Sequence, residues 1–137
     1  MKTAIDLSVH AYCYTLPGNW TVFAGKTDQD NDILSFEVAR SRDIWFHVHG
    51  MPGSHVVLMA HECEGNPPPD IIKAAASIAA YHSKARQGGI VSVVYTRVCN
   101  VRKPRGAKPG TVTVRKEKVV KVRPLLPHTC DNGQTNR

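Results

Sequence analysis

The chain has 137 residues, 42% of them apolar, with 18 lysines and arginines against 11 aspartates and glutamates. That length supports one domain burying about two-thirds of its unfolded surface; it is too short for two domains with a linker, and the apolar content excludes wholesale disorder. The formal charge of +7 is uneven: residues 1–83 carry five basic and nine acidic side chains, whereas residues 84–123 carry twelve basic ones and a single acid, Glu117. A basic block on a mildly acidic chain points to a polyanionic partner, nucleic acid first, with a merely soluble basic surface as the alternative.

Cys13, Cys63, Cys99 and Cys130 are too scattered for any C-x-x-C pair, so no zinc knuckle or ribbon is expected. Asp6, Ser8 and His10 interrupt the N-terminal run where a secretory signal is apolar, and no stretch reaches the roughly 18 apolar residues of a membrane span. The expectation is a cytoplasmic protein with reduced thiols.

In chain order, the first punctuation is the turn Pro17-Gly18-Asn19, after a stretch with no clear period. Trp20–Ala24 reads as a short strand closed by Gly25, and Asn31 or Asp32 is placed to cap a short helix over Ile33–Arg40. Asp28, Asp30 and Asp32 alternate as in a calcium loop, but the glycine at the sixth loop position and the glutamate at the twelfth are missing. Ile44–His49 alternates, with Ile44, Phe46 and Val48 on one face and Trp45, His47 and His49 on the other. Gly50-Met51-Pro52-Gly53 turns the chain into a second strand over Ser54–Ala60, so the pair reads as a hairpin.

Pro67-Pro68-Pro69 ends this region and opens the clearest helix, about 69–87, striped by Ile71, Ala75, Ile78, His82 and Ala85 and stopped by Gly88-Gly89. Ile90–Thr96 is a strand, and Pro104 and Pro109 keep the basic segment 101–110 from being helical. Thr111–Arg115 and Lys118–Arg123 read as a final hairpin, and the tail after Pro127 has no packing pattern. Strands, one long helix, then strands predict an α+β fold: a mixed, largely antiparallel sheet with a long helix (about 69–87) and a short one (about 32–40).

Asp43, Trp45, His47 and His49 share one strand face, and two readings stand for it. The indole is a stacking platform for a base with imidazoles beside it, or the long helix covers this face, burying Trp45 and leaving His47 to pair with Asp43. His47, His49 and His55, with His61 and Cys63 nearby, also form an alternative metal set for an enzyme, although no carboxylate–histidine motif accompanies them. Ser54 and His55 are adjacent without a G-x-S-x-G around them, and phosphate-loop and dinucleotide glycine patterns are absent. No catalytic residue and no cofactor are therefore expected. The segment Arg102-Lys103-Pro104-Arg105-Gly106-Ala107-Lys108-Pro109-Gly110 is proline-stiffened, which lowers the entropy lost when its charges meet a polyanion.

Asp43-Ile-Trp-Phe-His47, Pro52-Gly-Ser-His-Val-Val57, Ala79-Ala-Tyr-His-Ser-Lys-Ala-Arg86, Val94-Tyr-Thr96, Val101-Arg-Lys-Pro104 and Gly106-Ala-Lys-Pro-Gly110 together resemble the NFACT-R domain, from about Trp20 to Pro124. The resemblance implies an RNA-binding module like the C-terminal domain of RqcH/NEMF-class ribosome quality-control factors, here expected in stand-alone form, with residues 1–19 as an N-terminal extension and 125–137 as a loose tail. It implies rRNA, tRNA or a ribosomal subunit as partner, with no membrane; a protein-interaction module docking on a ribosome-associated partner is the other alternative. Lys84, Arg86, Arg97, Arg102, Lys103, Arg105 and Lys108 are then expected to neutralise phosphates, with Lys26, Asp43, Trp45, His47, Ser54 and His55 shaping a groove beside them. The family's Gly-Arg-Asn reads Gly25-Lys26-Thr27 here, which keeps the charge and loses the amide.

Overall fold

Runs of β-branched and aromatic residues at period two need one face buried, and here they build a six-stranded sheet in the order Ala11–Leu16, Trp20–Gly25, Val56–Leu58, Ile44–Val48, Val91–Arg97, Lys118–Val122. The structure is a computed structural model that describes residues 6–127. The strands are β1 (Ala11–Leu16), β2 (Trp20–Gly25), β3 (Ile44–Val48), β4 (Val56–Leu58), β5 (Val91–Arg97) and β8 (Lys118–Val122), and every described pairing is antiparallel. A separate ribbon pairs β6 (Val101–Arg102) with β7 (Thr113–Val114). The helices are α1 (Leu7–His10), α2 (Asp28–Ile33) and α3 (Pro69–Tyr81).

The alternation in β3 separates two cores. Ile44, Phe46 and Val48 join Val22, Val56, Leu58 and Val93 under the apolar stripe of α3, Ile71, Ala75 and Ile78 among it. Trp45 faces the opposite way, with Leu34, Val57, Met59, Val98 and Val101, under the α2 segment and the β6–β7 ribbon. The sheet is thus covered on both faces, and the long helix covers the face away from Trp45.

Four expectations change. The short helix begins at Asp28, not near 32, because Thr27 caps it by accepting from the Asp30 amide at 3.0 Å. It then runs on as a π turn over Leu34–Val38, while Asn31 turns inward to accept from the His55 amide. The long helix stops at Tyr81, not 87: His82 leaves helical geometry, and Ser83 pairs with Gly53 in an isolated bridge, so Lys84 and Arg86 sit in a turn. The expected final hairpin does not form; β7 pairs with β6, and β8 pairs with β5 in a register that aims Val120 and Val122 at the α3 core. The first nineteen residues are no mere extension, since β1 pairs along its whole length with β2. Residues 1–5 of that segment, and residues 128–137 of the expected loose tail, lie outside the described residues.

Candidate nucleic-acid interface

An open cleft of about 370 Å³ is assembled from four distant segments: Tyr12 of β1, Gly25-Lys26-Thr27 with the start of α2, Pro52-Gly53-Ser54, and the turn from His82 to Arg86. Its floor is tied across. The Ser54 hydroxyl donates to the Gly25 carbonyl at 2.6 Å, the Ser54 amide to the His82 carbonyl at 2.9 Å, and the Lys84 amide to the Pro52 carbonyl at 3.1 Å. Gly25 is required by close approach, since a Cβ there would stand 2.1 Å from Asn31 Oδ1.

Three exposed cations line the cleft, Lys26, Lys84 and Arg86, against one acid, Asp28. Lys26 Nζ donates to the Ser8 carbonyl and lies 5.0 Å from the Tyr12 ring centroid; Arg86 lies over the Tyr81 ring at 4.0 Å and donates from Nε to its carbonyl. Tyr12 stacks on His82 with centroids 4.9 Å apart, and Tyr14 shares a 2.6 Å hydrogen bond with His82 Nε2. Burial, and then the charge of Arg86, lowers His82 to about 4, so its ring is neutral at neutral pH.

Beside the cleft runs the basic arm after β6. Asp32 holds it at two points: Oδ2 pairs with Lys103 at 3.0 Å, and Oδ1 accepts from the Gly110 amide at 3.0 Å. Lys103 also donates to the carbonyls of Lys108 and Thr111, so its ammonium is satisfied internally, unlike a phosphate ligand. Gly110 sits at φ +85, and a Cβ on it would meet Asp28 Oδ1 at 3.2 Å, which brings the arm against the wall of the cleft. Arg102, Arg105 and Lys108 are exposed.

His55 is the arm's third anchor. It is 2% exposed, and its Nε2 lies 3.1 Å from the Gly110 carbonyl, so that nitrogen carries the proton. Nδ1 accepts from the Ser35 hydroxyl at 3.0 Å, a contact the π turn makes possible. Burial, and secondarily His47, pushes His55 down to about 4. The unfolded chain therefore binds this proton more readily between pH 6.5 and 4, so stability is intact above that window and falls as pH drops through it, by about 3 kcal/mol for this group. Urea unfolding at successive pH values is expected to show the loss in the native chain and a shallower slope in His55→Gln.

The remaining expected residues separate. Trp45 is 4% exposed and belongs to the second core, stacked on half-buried His47 at 5.8 Å and edge-on to His55 at 5.1 Å. Asp43 does not pair with His47; fully buried, it accepts from the Arg40 amide and from both the amide and the ring of His61, which makes it a strut of the loop ends. Arg97 lies in a different cleft, with Lys116 and Lys118, and donates to the Arg42 carbonyl and Asn66 Oδ1. His49 is exposed, and among the described residues no group of three or more His, Cys, Asp or Glu side chains is placed to hold a metal ion. Sequence reasoning missed Tyr12, Thr27 and the stacking role of His82. Thr27 carried a legible signal, a capping threonine followed by acids at the first and third helical positions.

A family model described as NFACT protein RNA binding domain matches residues 10–116. The chain is 42% identical over 111 residues to the Rqc2 homolog RqcH of Bacillus subtilis, an alignment covering 81% of this chain and 19% of that protein. Coiled-coil domain-containing protein 25 of Bos taurus is 32% identical over 108 residues, 75% of this chain and 50% of its own. The solved structure of the C-terminal part of the fibronectin/fibrinogen-binding protein from Streptococcus suis is similar with a TM-score of 0.78 at 35% identity, over 85% of this chain and 46% of that one. The chain thus spans about a fifth of the RqcH relative, the 19% covered by the alignment.

Proposed function

The chain belongs to the NFACT protein RNA-binding domain family, and from that membership we propose that it is a non-catalytic module that binds structured RNA, rRNA or tRNA, in ribosome-associated quality control. The basic arm and the rim of the neighbouring cleft form the contact surface, with Lys26, Lys84, Arg86, Arg102, Arg105 and Lys108 meeting phosphates. One observation carries the reading. Of the twelve basic residues between 84 and 123, ten are exposed, and among the described residues only Lys103 is paired with a carboxylate. A chain folding for stability alone gains by interleaving such charges with acids; leaving them unneutralised raises self-repulsion that a polyanion relieves.

The anchors add to this. Asp32 and His55 fix the arm before any partner arrives, so its ordering entropy is already lost on folding. The quality-control setting follows from the RqcH relatives and rests on a fifth of their length, 19% in each alignment.

The test is the affinity of the purified chain for tRNA and for a ribosomal RNA fragment as KCl is raised. Three phosphates met by the arm and one or more met by the cleft's three cations, at about 0.7–0.9 each, predict a slope of about −3 to −5 in log K against log salt. A flat line, or no saturable binding, overturns the reading.

A further inference from the structure

Duplex RNA hides its base edges in a deep major groove, so a protein that reads only phosphates treats a stem and a loop alike. The cleft beside the arm is an open concavity instead of a flat basic face. Its volume of about 370 Å³ falls in the range of sites that enclose a small ligand, about 300–1,000 Å³. Its lining combines three cations, one acid and one aromatic ring that is 46% exposed, Tyr12.

We propose that this cleft seats a single unpaired nucleotide of the bound RNA, its phosphate among Lys26, Lys84 and Arg86 and its base stacked on Tyr12. This rests on the RNA-binding reading above and adds a preference for loops over stems.

The arrangement is built for that ligand in three respects. Tyr12 is backed by His82, which Tyr14 holds by a 2.6 Å hydrogen bond, so the ring is presented on a rigid support and loses little freedom when a base lies on it. Lys26 Nζ lies over the Tyr12 ring, 5.0 Å from its centroid, at the end of a flexible side chain, so a base stacking there takes the ammonium's place and the ammonium meets the adjoining phosphate. Three cations against Asp28 alone leave an excess of positive charge suited to a phosphodiester, while the carboxylate accepts from a sugar hydroxyl or an exocyclic amine. Arg86, although over Tyr81 and bonded through Nε, keeps its two terminal nitrogens for a phosphate.

The experiment compares three probes on the intact chain: an RNA hairpin with an unpaired loop, the blunt duplex of the same stem, and adenosine monophosphate as competitor. The native chain is expected to bind the hairpin about tenfold more tightly than the duplex, in line with the worth of one base stacked on an aromatic ring. Tyr12→Ala is expected to remove that preference, bringing the hairpin's affinity down to that of the duplex. Tyr12→Leu, which keeps apolar contact with His82, guards against a folding defect and is expected to lose the preference too, while Tyr12→Phe keeps it. Equal binding of hairpin and duplex by the native chain, or an unchanged preference in folded Tyr12→Leu, overturns the cleft proposal and leaves the RNA reading standing. Binding of neither RNA overturns both. Competition by adenosine monophosphate as effective as by the hairpin overturns it in favour of a free nucleotide site.

Discussion

Replacing Arg102, Arg105 and Lys108 together with alanine is expected to weaken binding to every RNA by about 10²–10³-fold, at about 1–1.5 kcal/mol for each charge-assisted phosphate contact. The salt slope should fall by about 2, three contacts at about 0.7 each. Folding stability should stay within about 0.5 kcal/mol, because all three side chains are exposed and none is paired with a carboxylate among the described residues. Lys103→Ala is the contrasting case. Its ammonium is bonded to Asp32 and to two carbonyls of the arm, so its loss frees the arm rather than removing a phosphate contact. Amide exchange should rise across residues 104–111 in that variant and stay unchanged in the triple one.

Trp45→Ala is expected to cost about 3–5 kcal/mol of folding stability, a large share of the roughly 5–15 kcal/mol that holds a domain of this size. The indole is 4% exposed among Leu34, Val57, Met59, Val98 and Val101, where truncation leaves a cavity under the β6–β7 ribbon. Its Nε1 has no hydrogen-bond partner, so Trp45→Phe gives up packing volume but no polar contact and should be far milder. Urea unfolding measures both variants, and RNA titration of folded Trp45→Phe should match the native chain. A Trp45→Ala chain of native stability that binds RNA poorly would instead restore the indole as the stacking platform.

These two regions, the arm and the Trp45 core, mark where the sequence was legible. Alternation in Ile44–Val48 separates two faces without reference to anything distant, and the structure divides the cores along that line. The N-terminus of α3 is equally local, with Pro69 at its first turn. Its C-terminus is not. His82 and Ala85 continue the apolar stripe, yet the helix yields at Tyr81 because Ser83 pairs with Gly53, a partner thirty residues away in sequence. The same long-range pairing brings Lys84 and Arg86 to the cleft. Likewise, two adjacent β-branched runs look like a hairpin, but the first pairs with β6 and the second with the edge of β5, partners distant enough in sequence that local pattern does not reveal them.

The candidate site follows the same division. Charge is countable, so the basic block was visible at once; which of its members are free was not. Lys103 reads like Lys108 in the sequence, and only the position of Asp32 separates an internal tie from an exposed cation. Asp43 and His47 share a strand phase, but the short turn over Ala60–Glu62 brings His61 to the carboxylate first. Tyr12 lies in a segment with no clear period, and its neighbour His82 looked like a core residue on a helix that ends one position earlier.

Ultraviolet crosslinking of the intact chain to RNA, with the modified peptides located by mass spectrometry, tests the contact surface most directly. Adducts are expected on peptides carrying Tyr12, the Lys84–Arg86 turn and the Arg102–Lys108 arm. Adducts confined to the exposed side of α3 around Lys73, or to the separate cleft of Arg97, Lys116 and Lys118, would contradict it.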